Sequence, residues 1–181
     1  MLVNMRLKYF KSIQDMFIKF TQLTVLIGGN SSGKTTILQA LDFLSSAVTR
    51  EIPEYLREQG WSFDDLKSKF DDGNNKPIEF TTEYKFKIDG IEKLIRWWFS
   101  VDFKNPEWKI YEKIEIVNDD DDDTKTRILV LHSPESSGTV PETFKNFDFQ
   151  SSILKYYKIS EDEKELMALK QFLASSTFYG V

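Results

Sequence analysis

The stretch Gly28-Gly29-Asn30-Ser31-Ser32-Gly33-Lys34-Thr35 constrains this chain more than any other. Two glycines five residues apart are followed directly by lysine and then threonine, the spacing of a phosphate-binding loop. Composition alone would produce such a pattern about 0.006 times over the chain. The flanks agree with it. Leu23-Thr24-Val25-Leu26-Ile27 is a continuous β-favouring run, which predicts a strand covered on both faces. From Thr35 to Thr49 the period becomes helical, with Ile37, Leu41, Leu44 and Val48 on one face. Strand, glycine-rich turn and helix in that order let several backbone N–H groups and the positive end of a helix converge on one anion. Lys34 then offers a mobile ammonium to the β- and γ-phosphates of a nucleotide, and the Thr35 hydroxyl is placed to ligate Mg²⁺. The expected ligand is therefore MgATP.

Composition narrows the remaining chemistry. The 181 residues are 40% hydrophobic and 29% charged, as expected for one globular domain with a real core. The chain has no cysteine, which removes disulfides, thiolate zinc sites and cysteine nucleophiles and fits a reducing compartment. His132 is the single histidine, so histidine-rich metal sites are excluded. Lysine and arginine number 24 against 29 acids, and the five aspartates at 119–123 account for the whole difference. This is one acidic loop and not a global field, and it does not indicate a strongly basic nucleic-acid binder. No apolar run approaches the ~20 residues that span a bilayer, and the first residues lack a signal-peptide core. The expectation is a soluble cytoplasmic protein with no membrane partner.

Along the rest of the chain, Leu2 to Phe10 reads as a strand, Gln14-Asp15 as a turn, and Met16 to Phe20 as a second strand. Pro53 opens a short helix, and Ser62, followed by Asp64 and Asp65, caps another. From Ile78 the period becomes two. Ile95, Trp97, Phe99, Val101 and Phe103 alternate with Arg96, Trp98, Ser100, Asp102 and Lys104, a half-buried antiparallel strand. Asp89-Gly90 marks a tight hairpin. Four strands are expected, near 78–88, 91–103, 108–118 and 125–132. Ser160 and Glu163 form a capping box for a last helix over 161–174, and Thr177 to Val181 reads as the opening of another strand.

The residues before and around the loop also carry a resemblance. Leu7-Lys8-Tyr9-Phe10-Lys11-Ser12-Ile13, then Leu23 to Gly28, the loop, and Thr36-Ile37-Leu38-Gln39-Ala40-Leu41 resemble the N-terminal segment of ATP-binding-cassette-type ATPases of the RecF, SMC and OLD group. The specific likeness covers roughly residues 2–45. It implies an α/β fold, a P-loop lobe of the ABC-ATPase type with an antiparallel β subdomain. In such a lobe, 1–50 would hold the first strands, loop and helix, 51–77 a helical insertion, 78–132 the antiparallel hairpins, and 133–181 a loop and C-terminal helix. It implies that Lys11 contacts nucleotide phosphate, that Asn30 is the loop asparagine, and that Gly33, Lys34, Thr35 and Thr36 end the phosphate cradle. It also implies a glutamine near Mg²⁺ and the attacking water, for which Gln150 is the nearby candidate. Members of the group hydrolyse ATP as two heads that sandwich it, and serve in DNA repair, chromosome maintenance or defence against phage. A homodimer on ATP binding, with DNA as a further partner, follows from the resemblance.

The group's second nucleotide motif, an apolar strand ending in Asp-Glu, is missing, as is its Leu-Ser-Gly-Gly signature. Both belong to a C-terminal lobe, so the chain is expected to be an N-terminal lobe of a longer protein that binds ATP without hydrolysing it efficiently alone. Two other readings stand beside this one. The chain could regulate a nuclease of the OLD type, or it could be a non-catalytic nucleotide-sensing module. Elsewhere the aspartate run reads as a solvated hairpin tip, Trp97 as core, Trp98 as covered by a neighbouring element, and His132 as a strand-end residue. Tyr9 and Phe17 stand at a distance before the loop where transporter-type cassettes place an aromatic under adenine; otherwise Tyr9 packs in the first sheet.

Overall fold

A computed structural model describes residues 1–30, 32–70, 76–104, 107–117, 127–132 and 150–178. Ser31, the aspartate run at 119–123, the expected loop at 133–143 and the final residues 179–181 lie outside the described residues. The described elements are β1 (Leu2–Phe10), β2 (Ile13–Lys19), α1 (Lys34–Ala47), α2 (Ile52–Gln59), β3 (Ile78–Ile88), β4 (Ile91–Lys104), β5 (Glu107–Val117), β6 (Arg127–His132), α3 (Ile153–Tyr156) and α4 (Lys164–Ser175).

The six strands form one antiparallel sheet in the order β2-β1-β3-β4-β5-β6. β1 pairs directly with β3, so the N-terminal hairpin and the later hairpins share a sheet. The β3–β4 turn is at Asp89-Gly90, both with positive φ, as the Asp-Gly pair predicts. Alternation then divides the two faces. Met5, Leu7, Phe80, Ile95, Trp97, Phe99, Val101 and Ile114 point inward and are buried. α1 lays Ile37, Ala40, Phe43 and Leu44 on that face, and α4 adds Leu166, Leu169 and Leu173. Phe43 is the keystone: its ring stacks on Phe80 at 5.5 Å and lies within 6.4 Å of Phe10, Tyr55 and Phe99. Truncating such a ring to alanine costs roughly 3–5 kcal/mol.

The other face is polar. Arg6 meets Asp15 at 2.7 Å, Lys8 meets Glu79 at 3.0 Å, and Arg96 bridges Glu83 and Glu115 at 2.8 and 3.1 Å. Trp98 shares this face, half-buried, opposite Thr81 and Lys113.

Three expectations are corrected. The first hairpin turns at Lys11-Ser12, and Gln14-Asp15 lies within β2, where Asp15 pairs with Lys8. The helix expected after Ser62 is a single 3-10 turn, Phe63–Asp65, although its capping box forms. Most consequential, Leu23–Ile27 joins no strand ladder among the described residues. The segment keeps a strand's alternation: Leu26 packs toward the core, while Leu23, Val25 and Ile27 are 81%, 67% and 91% exposed. The expectation of a strand covered on both faces is overturned: among the described residues only the Leu26 side is covered.

A buried knot ties the sheet to the far end of α1. Glu112, 1% exposed on the inner face of β5, accepts hydrogen bonds from Trp97 Nε1 (3.1 Å), Ser152 Oγ (2.9 Å) and the Ile153 N–H. Burial pushes its carboxyl up to about 7, against the opposing pull of these three donors. Ser151 Oγ donates toward the carbonyls of Ala47 (2.6 Å) and Arg50 (2.7 Å), satisfying groups that the end of a helix leaves open.

Candidate nucleotide-binding site

The loop from Gly28 leads straight into α1, whose first residue is Lys34. Gly33, just before it, has φ +88, a left-handed conformation that glycine adopts without steric cost. Gly28 lies close against the Ser32 side chain. A Cβ there would lie 2.6 Å from Ser32 Oγ and 3.2 Å from Ser32 Cβ. The loop therefore curls tightly enough that the Ser32 N–H reaches the Gly29 carbonyl at 3.4 Å.

Lys34 folds back over this curl. Its ammonium donates to the carbonyl oxygens of Gly28 (2.7 Å) and Gly29 (2.6 Å) and to Ser32 Oγ (3.2 Å). The first turn of α1 has no side-chain cap and no acidic residue, so its opening N–H groups and the positive end of the helix face the loop. Thr35 is exposed at that end. Thr36 turns inward and shares a 3.0 Å hydrogen bond with Ser12, which fastens the β1–β2 turn to the helix. Asn30 and Gly29 are exposed at the tip.

A cavity of about 550 Å³ opens between the loop and the first hairpin. Ser32 and Gly33 line it from one side, and Tyr9, Ser12, Gln14 and Phe70 from the other. Tyr9 has φ 57, an uncommon backbone for a bulky residue, and its hydroxyl accepts from Lys76 Nζ at 3.3 Å.

Lys11 stands beside this cavity and does not line it. It occupies the turn with φ 49, and its ammonium donates to Gln39 Oε1 at 3.0 Å while lying 3.0 Å from the centre of the Trp61 ring. Burial lowers its pKa to about 8, with Asp65 pulling the other way. Residue spacing could not have paired Lys11 with Trp61, because fifty residues separate them and only the packing of the 3-10 segment brings them together.

Gln150 is not brought to the loop. Its carbonyl accepts from the Ile52 N–H at 3.0 Å, and its neighbours Ser151 and Ser152 bond to Ala47. It therefore sits at the C-terminal end of α1, a helix of 14 residues or about 20 Å, away from Lys34 at the other end. Among the described residues no group of three or more His, Cys, Asp or Glu could hold a metal ion, and none of the helices is long and apolar enough to cross a membrane.

Comparison with known proteins agrees with the loop. Among curated proteins none matches the chain. A solved structure described as bearing on ATP-driven dimerization and DNA-stimulated activation of SMC ATPases is similar at 20% identity, with a TM-score of 0.47, over 94% of this chain and 98% of that one. The family model described as an AAA ATPase domain matches residues 1–179. With an α/β fold, a glycine-rich turn leading into a helix, and a family match over nearly its whole length, this chain belongs to the AAA ATPase domain family of ATP-binding ATPases.

Proposed function

We propose that this chain is the nucleotide-binding lobe of an ATPase of the RecF, SMC and OLD type. In this reading Gly28 to Thr36 cradle the phosphates of MgATP, and Lys11 adds a further contact. The observation that carries it is the geometry of Lys34. Its ammonium lies across the loop carbonyls at the uncapped N-terminus of α1, beside a cavity large enough for a nucleotide. The residues at the loop fit an anion: an ammonium, the open N–H groups of a helix, and no acidic side chain in its first turn, while Asp15 on the opposite wall of the cavity is paired with Arg6. They fit Mg²⁺ only as a partner of phosphate, because Thr35 offers one hydroxyl oxygen and the remaining ligands would come from nucleotide and water. When bound, Mg²⁺ neutralises charge on the phosphates. Tyr9 and Phe70 give the cavity aromatic walls suited to a base.

The exposed stripe of Leu23, Val25 and Ile27 favours a second lobe as partner. A β-favouring segment with one face on the core and one face bare is a template for added strands. The carboxylate that would polarise the attacking water belongs on that lobe, and closure of two heads around ATP would complete each site.

Equilibrium binding of ATP with and without Mg²⁺, to the wild-type chain and to Thr35→Val, tests the reading. Wild type should bind more tightly with Mg²⁺, and Thr35→Val should lose that gain while keeping its metal-free affinity. Equal Mg²⁺ dependence in both chains would count against Thr35 as the metal-side ligand.

A further inference from the structure

The Lys11 ammonium has an unusual pair of partners for a cation. One is the neutral face of an indole at 3.0 Å, and the other is the neutral amide oxygen of Gln39 at 3.0 Å. Among the described residues no carboxylate forms an ion pair with it. Such partners hold a cation loosely compared with a carboxylate, and they yield to a phosphate. Position matters as well. Gln39 is one helical turn beyond Thr35 and Thr36, which places it about 7.5 Å along α1 from the helix end that faces the loop. A lysine stem of four flexible carbons spans that gap without moving the backbone. The backbone itself is fixed, because Ser12 is tied to Thr36 and the Lys11 N–H donates to the Leu66 carbonyl at 2.8 Å.

We propose that Trp61 is a positioning residue for Lys11: its indole and the Gln39 amide hold the Lys11 ammonium beside the cavity, and phosphate bound at the loop draws it away. The inference rests on the reading of the loop as a phosphate site. Trp61 follows α2, with its ring edge-on to Tyr55 at 6.0 Å, and Tyr55 is edge-on to Phe43 of α1 at 5.8 Å.

Two measurements on the whole chain test it. The Lys11 Hε protons should be shifted upfield by the indole ring current in the nucleotide-free protein, and should move downfield at saturating MgATP. In calorimetry, Trp61→Leu should tighten MgATP binding by about threefold to tenfold when Lys11 is present, and should have no effect in a Lys11→Met background. Trp61→Phe, which keeps an aromatic face, should stay near wild type. An unchanged Lys11 resonance in a chain shown to bind MgATP would overturn the transfer alone. Equal effects of Trp61→Leu in both backgrounds would do the same. A folded chain that keeps the upfield shift but binds no MgATP would overturn the phosphate-site reading, and the transfer with it.

Discussion

The Lys34 ammonium lies 2.6 Å from the carbonyl oxygen of Gly29, so the loop and its lysine close on each other. That closure depends on the shape of the loop, and the loop's shape depends on what is missing at Gly28.

Gly28→Ala places a methyl group 2.6 Å from Ser32 Oγ and 3.2 Å from Ser32 Cβ, so the Ser32 hydroxyl must swing away from its contact with Lys34 and the loop must shift slightly. Gly28 is exposed, and the core is remote from it. The melting temperature should therefore stay close to wild type while MgATP affinity falls about tenfold, a difference of roughly 1.4 kcal/mol. Parallel thermal melts and calorimetry separate the two effects. A large loss of stability would contradict the separation.

Glu112 offers a test of the core. Glu112→Ala leaves the Trp97 indole, the Ser152 hydroxyl and the Ile153 N–H without their acceptor in a buried site. A loss of about 2–4 kcal/mol in denaturant unfolding is expected. The pH dependence has a definite sign. The folded carboxyl titrates near 7, above its ordinary value of 4.5, so its protonated form is the one favoured by folding. Its contribution is full below about 4.5 and is lost as pH rises through 7. Wild type minus Glu112→Gln should therefore decline across that window, by up to about 3 kcal/mol, and be flat above it. A difference that rises with pH would contradict the assignment.

Leu23, Val25 and Ile27 should behave as an interface and not as core. Ile27 is 91% exposed, so Ile27→Lys should change unfolding free energy by no more than about 0.5 kcal/mol. It should also reduce self-association of the chain at high concentration in sedimentation velocity. Destabilisation by several kcal/mol would mean that the stripe is already buried in solution.

Much of this arrangement was legible in local sequence. Period-two alternation located the strands from Ile78 onward, Asp89-Gly90 located their first turn, and the glycines and lysine of 28–35 located the loop and the start of α1. What escaped depended on distant packing. Leu23–Ile27 has the composition of a central strand, but composition does not say whether neighbours are present to pair with it. Gln150 is only what the resemblance implies, and Ser151 and Ser152 fasten it to the end of α1 away from the loop. The turn at Lys11-Ser12 carries no glycine or proline, and its left-handed Lys11 is held by Leu66, Gln39 and Trp61, all remote in sequence. The same remoteness hid the knot at Glu112, whose donors come from residues 97, 152 and 153.

Calorimetric titration of the wild-type chain and of Lys34→Ala with MgATP addresses the central claim most directly. The account predicts saturable binding by wild type that falls at least tenfold in Lys34→Ala, with both chains folded by circular dichroism and equal in melting temperature. Equal affinity in the two chains would contradict it, because the ammonium that lies across Gly28 and Gly29 would then have no part in holding the nucleotide.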